Sequence, residues 1–226
     1  MTEEEHLLTI LQYGDSFFPS GAVSFSWGVE MLKDDGVITS IASLNEFLEN
    51  QLINKWATFE RVVLAHSYSC AMKTNELVVI DRLVESMTIS NELRVGSKRL
   101  GGALLATHAK LNTPMAKNYQ LMVFDKTAHG HLPVIQGLLA HSIGQSKNAA
   151  LLISAYNFCV AILSAALRLG IVGHINCQNS LSKFRHLIAE LTIQEIPDLN
   201  NIHAFTPYAD IASMRHENAN TRLFAN

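Results

Sequence analysis

The chain has 226 residues and a mass of 25.0 kDa, with 48% apolar and 16% charged residues. That composition excludes a disordered chain, and a charged share below the usual ~25% implies a large core or a partner-covered surface. A net charge of −3 and a pI of about 6.3 disfavour a generic nucleic-acid binder.

The opening run Met1-Thr2-Glu3-Glu4-Glu5 is acidic and has neither the basic nor the apolar region of a signal peptide. Residues 1–50 carry a net −8, with Lys33 their only basic residue, and the remainder carries +5. Such a split can steer two different partners, or simply solvate the surface. No repeat or Gly/Ser-rich linker divides the chain, so residues 1–226 read as one domain. Within it, residues 1–14 form an N-terminal helix and residues 195–226 a loop and tail.

Helical periodicity dominates, and the fold class expected is all-α, a single-domain bundle of roughly ten helices. Leu7, Leu8 and Leu11 share a helix face. Val23, Phe25, Trp27 and Val29 alternate with Ser24, Ser26, Gly28 and Glu30, a strand-like period of two. No partner strand is evident, so Pro19-Ser20-Gly21 is read as a turn leading into a helix. Ser43-Leu44-Asn45-Glu46 matches a capping box, followed by Phe47, Leu48 and Leu52 at helical spacing.

Two helices are expected over 57–72 and 75–87, broken near Thr74-Asn75. Ser90 caps a long helix with a seam of Leu93, Leu100, Leu104 and Leu111, stopped by Thr113-Pro114. Further helices cover 115–127, a stretch from Pro133 to about Gly144, 148–169 and 178–193. A loop with Pro197 and Pro207 leads to a final helix from Asp210. Residues 148–167 lack Asp, Glu, Lys and Arg, and are long enough to span a membrane. Asn148, Ser154, Asn157 and Ser164 interrupt them, so a helix buried in a protein core is the preferred reading.

No GxxxxGK[ST] motif is present. Gly96, Gly101 and Gly102 lie within a helix-period segment, where each costs ~1 kcal/mol relative to Ala; they point to close approach of another backbone. His129-Gly130-His131 is the closest histidine pair, and His174 and Cys177 share a helix face. A metal-dependent enzyme built on these four residues is the alternative reading, although a stable site needs three or four converging ligands. The cysteines, Cys70, Cys159 and Cys177, are odd in number with no CxxC spacing, which suits buried thiols in a reducing cytoplasm. No catalytic triad or carboxylate pair is evident by spacing, so an interaction protein is preferred to an enzyme.

Five segments resemble one family in order. The run from Ser16 to Glu30, with Pro19, Gly21, Ser24, Ser26, Gly28 and Glu30, resembles the early P-x-G-x-[FY]-S-x-S-x-G-L-E segment of UreF-type urease accessory proteins. Glu92-Leu93-Arg94 resembles that family's E-L-R helix start, and His129 to Gly137 its H-x-P-V-x-x-G segment. Ala165 to Leu169 resembles its basic-Leu helix end. Asp210 to Glu217, then Thr221-Arg222-Leu223-Phe224, is similar to its I-A-S-x-R-H-E…R-L-F tail.

The resemblance implies an all-α homodimer with no turnover of its own. Its implied partners are a UreD/UreH-type scaffold, the UreG GTPase and apo-urease, with neither nucleic acid nor membrane. No cofactor is bound stably, and nickel in transit through the complex is possible. By position, Arg168 engages the GTPase. Arg215, His216, Glu217, Arg222, Leu223 and Phe224 form the scaffold-binding tail; Pro197, Pro207 and Asn200-Asn201 set it apart from the last long helix, so it is expected to be loosely attached when free. Ser24, Ser26, Gly28 and Glu30 are partner-proximal or structural.

Overall fold

The computed structural model describes residues 2–15, 18, 25–219 and 223–224. All regular structure among them is helical. The turn expected at Pro19-Ser20-Gly21, and the candidate residues Ser24 and Arg222, lie outside the described residues.

Helix α1 (Glu3–Gly14) starts on a reciprocal cap. The Thr2 hydroxyl accepts from the Glu5 N–H at 3.2 Å, and the Glu5 carboxylate accepts from the Thr2 N–H at 2.7 Å. Glu3, Glu4 and Glu5 then sit where the helix dipole favours negative charge. The shared leucine face is present but points outward: Leu7, Leu8 and Leu11 are 57%, 65% and 59% exposed.

The alternating segment forms no strand over its described part. Trp27 (φ 54°) and Gly28 (φ 84°) both adopt left-handed backbone, which reverses the chain into α2 (Val29–Asp34). Helix α3 (Ile41–Gln51) is capped by Ser40, not Ser43. Ser43 instead occupies the third helical position and returns the bond, its hydroxyl accepting the Ser40 N–H at 3.1 Å. A π-helical stretch, Leu52–Glu60, follows without a break and continues as α4 (Arg61–Ser69). One rod from Ile41 to Ser69 thus replaces the separate helices expected after Ser43 and over 57–72, while the break before the 75–87 helix is present.

Helices α5 (Thr74–Met87) and α6 (Asn91–Lys110) follow, the latter capped by Ser90 as anticipated. The glycines of α6 differ in role. A Cβ on Gly101 would lie 2.0 Å from the Gly130 carbonyl oxygen, so a backbone does approach there. Gly96 faces the Phe25 ring instead, and Gly102 faces nothing within 4 Å. Helices α7 (Ala116–Phe124), α8 (Leu132–Ser142) and α9 (Lys147–Arg168) come next. Then α10 (His174–Ile193) starts four residues ahead of the expected 178, and α11 (Pro207–His216) places Pro207 in its first turn.

Helix α9 explains its own composition. It packs against α1, α2, α3, α4, α8, α10 and the π stretch, and most of its apolar window is buried. By length and composition it could cross a membrane, but its apolar faces are occupied by other helices. One core cluster gathers α2, α3, α9 and α10 around Trp56 and Phe158, and a second gathers α4 to α8 around Tyr119 and Ile135. Removing each core side chain from water contributes roughly 1.5–3 kcal/mol.

Candidate functional site

Three of the five family-like segments converge on one buried node, and a fourth reaches it through Phe224. Glu30, in the first turn of α2, and Glu92, in the first turn of α6, flank His216 at the end of α11. His216 Nδ1 lies 2.9 Å from Glu92 Oε2, and Nε2 lies 3.0 Å from Glu30 Oε2. All three side chains are buried. A neutral imidazole has one N–H, so it satisfies one carboxylate and repels the other.

The same node organises the tail. Glu92 donates its backbone N–H to Glu217 Oε1 at 2.7 Å, so a tail carboxylate caps α6. Glu30 accepts the N–H groups of Leu223 at 2.7 Å and Phe224 at 3.3 Å. Phe224 is 3% exposed and belongs to the α2/α9/α10 core. The Arg168 guanidinium, at the exposed end of α9, lies 4.3 Å from its ring centroid.

Two further candidates join α2 to α11. Arg215 forms a two-pronged ion pair with Asp35, Nη1 to Oδ2 at 2.5 Å and Nη2 to Oδ1 at 3.0 Å. A Cβ on Gly28 would lie 3.2 Å from the Ala209 carbonyl and 3.4 Å from Ala212 Cβ, so a residue without a side chain lets α11 close on α2. Ser26 is fully buried beside this junction.

A family model for UreF matches residues 38–185. The chain is 33% identical over 223 residues to the urease accessory protein UreF of Trichodesmium erythraeum (strain IMS101), covering 97% of this chain and 96% of that one. The chain belongs to the UreF family of urease accessory proteins. The UreF proteins of Yersinia pestis (strain Pestoides F) and Yersinia pseudotuberculosis serotype I (strain IP32953) are each 29% identical to it over 225 residues, covering 97% of this chain and 98% of theirs.

Within this UreF-family chain, the tail departs from the loose attachment expected. His216 and Phe224 face inward and hold the tail to the body, whereas Arg168, Arg215 and Leu223 face solvent. Tyr208 and Ile211 of α11 are also exposed, 74% and 55%, and share a helix face with Arg215. Glu92 and Asp35 were not anticipated as members. The local signal for Glu92 was an acidic residue one turn into a capped helix, but its partner lies 124 positions away.

His129 and His131 have another role. Buried Asp81 accepts the backbone N–H groups of His129 and Gly130, each at 2.7 Å, and of His131 at 3.0 Å, as well as the Tyr119 hydroxyl at 3.1 Å. The loop before α8 is thus wound around a carboxylate. Burial and the adjacent Asp81 charge push the Tyr119 phenol far up, so it stays a donor. Both His131 ring nitrogens are engaged, with Ser97 Oγ at 3.1 Å and Glu85 Oε2 at 2.8 Å, and burial lowers its basicity. Cys177 is buried with its thiol pushed up and directed at the Leu163 carbonyl, while His174 is exposed. Among the described residues no three His, Cys, Asp or Glu side chains are grouped to hold a metal ion.

Proposed function

We propose that this chain is a non-catalytic adaptor in maturation of the urease nickel centre. Its tail binds a UreD/UreH-type scaffold and Arg168 recruits the UreG GTPase, so that the assembly acts on apo-urease in the cytoplasm. It works as a homodimer, and nickel is cargo of the complex. Family membership supports the urease-accessory part of this reading. The observation that carries the adaptor part is the layout of the tail. Its inward residues anchor it, while Tyr208, Ile211 and Arg215, spaced three and four apart on α11, stay exposed, as do Leu223 and Arg168. Apolar anchors with arginine nearby are what interface centres are built from.

The test is co-expression of the chain with the scaffold and the GTPase, followed by affinity capture of the chain. A ternary complex is the expected result. Tyr208→Glu with Ile211→Glu should remove the scaffold while retaining helicity by circular dichroism, and Arg168→Ala should remove the GTPase alone. Capture of neither partner by the wild-type chain overturns the adaptor reading. GTP turnover by the isolated chain, surviving stringent purification, overturns its non-catalytic character.

A further inference from the structure

Two consecutive contacts connect Glu30 to Arg168. The Glu30 carboxylate holds the backbone N–H groups of Leu223 and Phe224. That fixes where the Phe224 ring enters the core. The face of the ring then supports the Arg168 guanidinium at 4.3 Å. Glu30 is itself immobilised, because its second contact runs through His216 to Glu92 on α6.

We infer that Glu30 is a positioning residue for Arg168, setting through Phe224 the orientation in which the guanidinium meets the GTPase. The inference rests on the reading of Arg168 as the GTPase contact. An arginine at an exposed helix end samples many rotamers, and ordering it on binding costs conformational entropy. An aromatic face beneath the planar guanidinium restricts it beforehand. Backbone bonds, not side-chain packing alone, place that face, so its position depends on the Glu30 charge. The scaffold surface and the GTPase contact therefore share a joint at residues 223–224. A partner that shifts Leu223 shifts the support under Arg168, and by linkage the reverse holds.

The test has two readouts on the full-length chain. The first needs no partner: the side-chain Nε–H resonance of Arg168 in a nitrogen–proton NMR spectrum. Over a ring face it should be displaced upfield, and Phe224→Leu should move it back downfield while still filling the core. Glu30→Gln should do the same, because its amide group presents donors to the N–H groups of 223 and 224. An ordinary wild-type position, or a resonance unmoved by Glu30→Gln, overturns the inference. If Glu30→Gln does not fold, Glu30→Asp replaces it: the shorter side chain draws the carboxylate away from the N–H groups of 223 and 224, and a resonance unmoved by it overturns the inference.

The second readout is the affinity of the chain–scaffold complex for the GTPase. Each variant should weaken it by about two- to five-fold, the range of an exposed cation–π contact. Neither should add to the loss caused by Arg168→Ala, because contacts in one chain are not additive. Additive losses overturn the inference. Unchanged GTPase affinity in Arg168→Ala overturns the GTPase reading instead, and the NMR readout still decides whether Glu30 positions the arginine.

Discussion

Arg61 Nη1 donates to the Leu191 carbonyl at 2.9 Å, joining the start of α4 to the end of α10 across 130 positions. The same nitrogen reaches the Gln194 carbonyl at 2.9 Å, Nη2 reaches Glu195 at 3.2 Å, and Nε returns to Ala57 at 3.0 Å. The last carbonyls of a helix have no partners within it, and here a buried guanidinium supplies them. Arg61→Met keeps much of the volume but leaves the carbonyls unpaired. A loss of about 2–4 kcal/mol is expected, since each bond to a charged donor is worth more than a neutral one. Urea denaturation of the two proteins measures it.

Asp81→Asn should weaken the loop before α8. An amide offers one acceptor oxygen, and its NH2 group faces the N–H donors of His129, Gly130 and His131. The expected cost is about 2–4 kcal/mol, from buried donors left unsatisfied. Amide hydrogen exchange at residues 129–131 should accelerate first, and unchanged exchange there would refute the assigned role.

Stability should fall with acidity through His108. Burial, under Tyr13 at 5.2 Å and Phe18 at 5.6 Å, pushes its imidazole down to about 4 from an ordinary 6.5. Between those values the unfolded chain binds the extra proton and the folded chain does not, so protonation favours unfolding. The His108 contribution is complete above pH 6.5 and is lost as pH falls towards 4. From pH 7 to pH 5 it amounts to about 2 kcal/mol. His108→Gln should flatten the profile by that amount when urea midpoints are compared at the two pH values.

Two neighbouring glycines should respond with opposite sign. Gly101→Ala drives a methyl group into the Gly130 carbonyl and should cost about 1–3 kcal/mol. Gly102→Ala meets nothing within 4 Å and should stabilise α6 by up to about 1 kcal/mol. Thermal melts of both variants decide the matter, and equal effects would show that neither glycine marks a close approach.

Local rules located most helices because each has a stripe or a cap within a few residues. Ser90 and Pro133 announced α6 and α8 in this way. They misled where two rules compete. Alternation over Phe25–Val29 looks like a strand, yet two left-handed residues turn the chain, and handedness leaves no apolar signature. Ser43-x-x-Glu46 fits the capping template better than Ser40-x-x-Ser43, which does the capping. For the site, Glu30, Arg168 and His216 were each singled out, but nothing local brings positions 186 apart into contact. Nor does a tail mixing polar and apolar residues reveal which of them face inward. Phe224 and Leu223 are adjacent in sequence, and one is core while the other is surface.

The π-helical stretch sets a rotational phase. Leu44 and Leu48 before it, and Val62 and Val63 after it, are all fully buried, though the rod passes through nine residues of wider winding between them. An α-helix advances about 100° per residue, so winding at a different pitch determines which side of α4 meets the body. Tightening the stretch Leu52–Glu60 to ordinary α geometry at unchanged length would add a few degrees at each of its steps and turn everything beyond it by roughly one residue's advance, about 100°. Arg61 would swing off the end of α10, and the backbone of Leu64 and Tyr68 would leave the Gly137 face of α8. A change of winding that leaves the length untouched would here dismantle the packing of α4 against both α8 and α10.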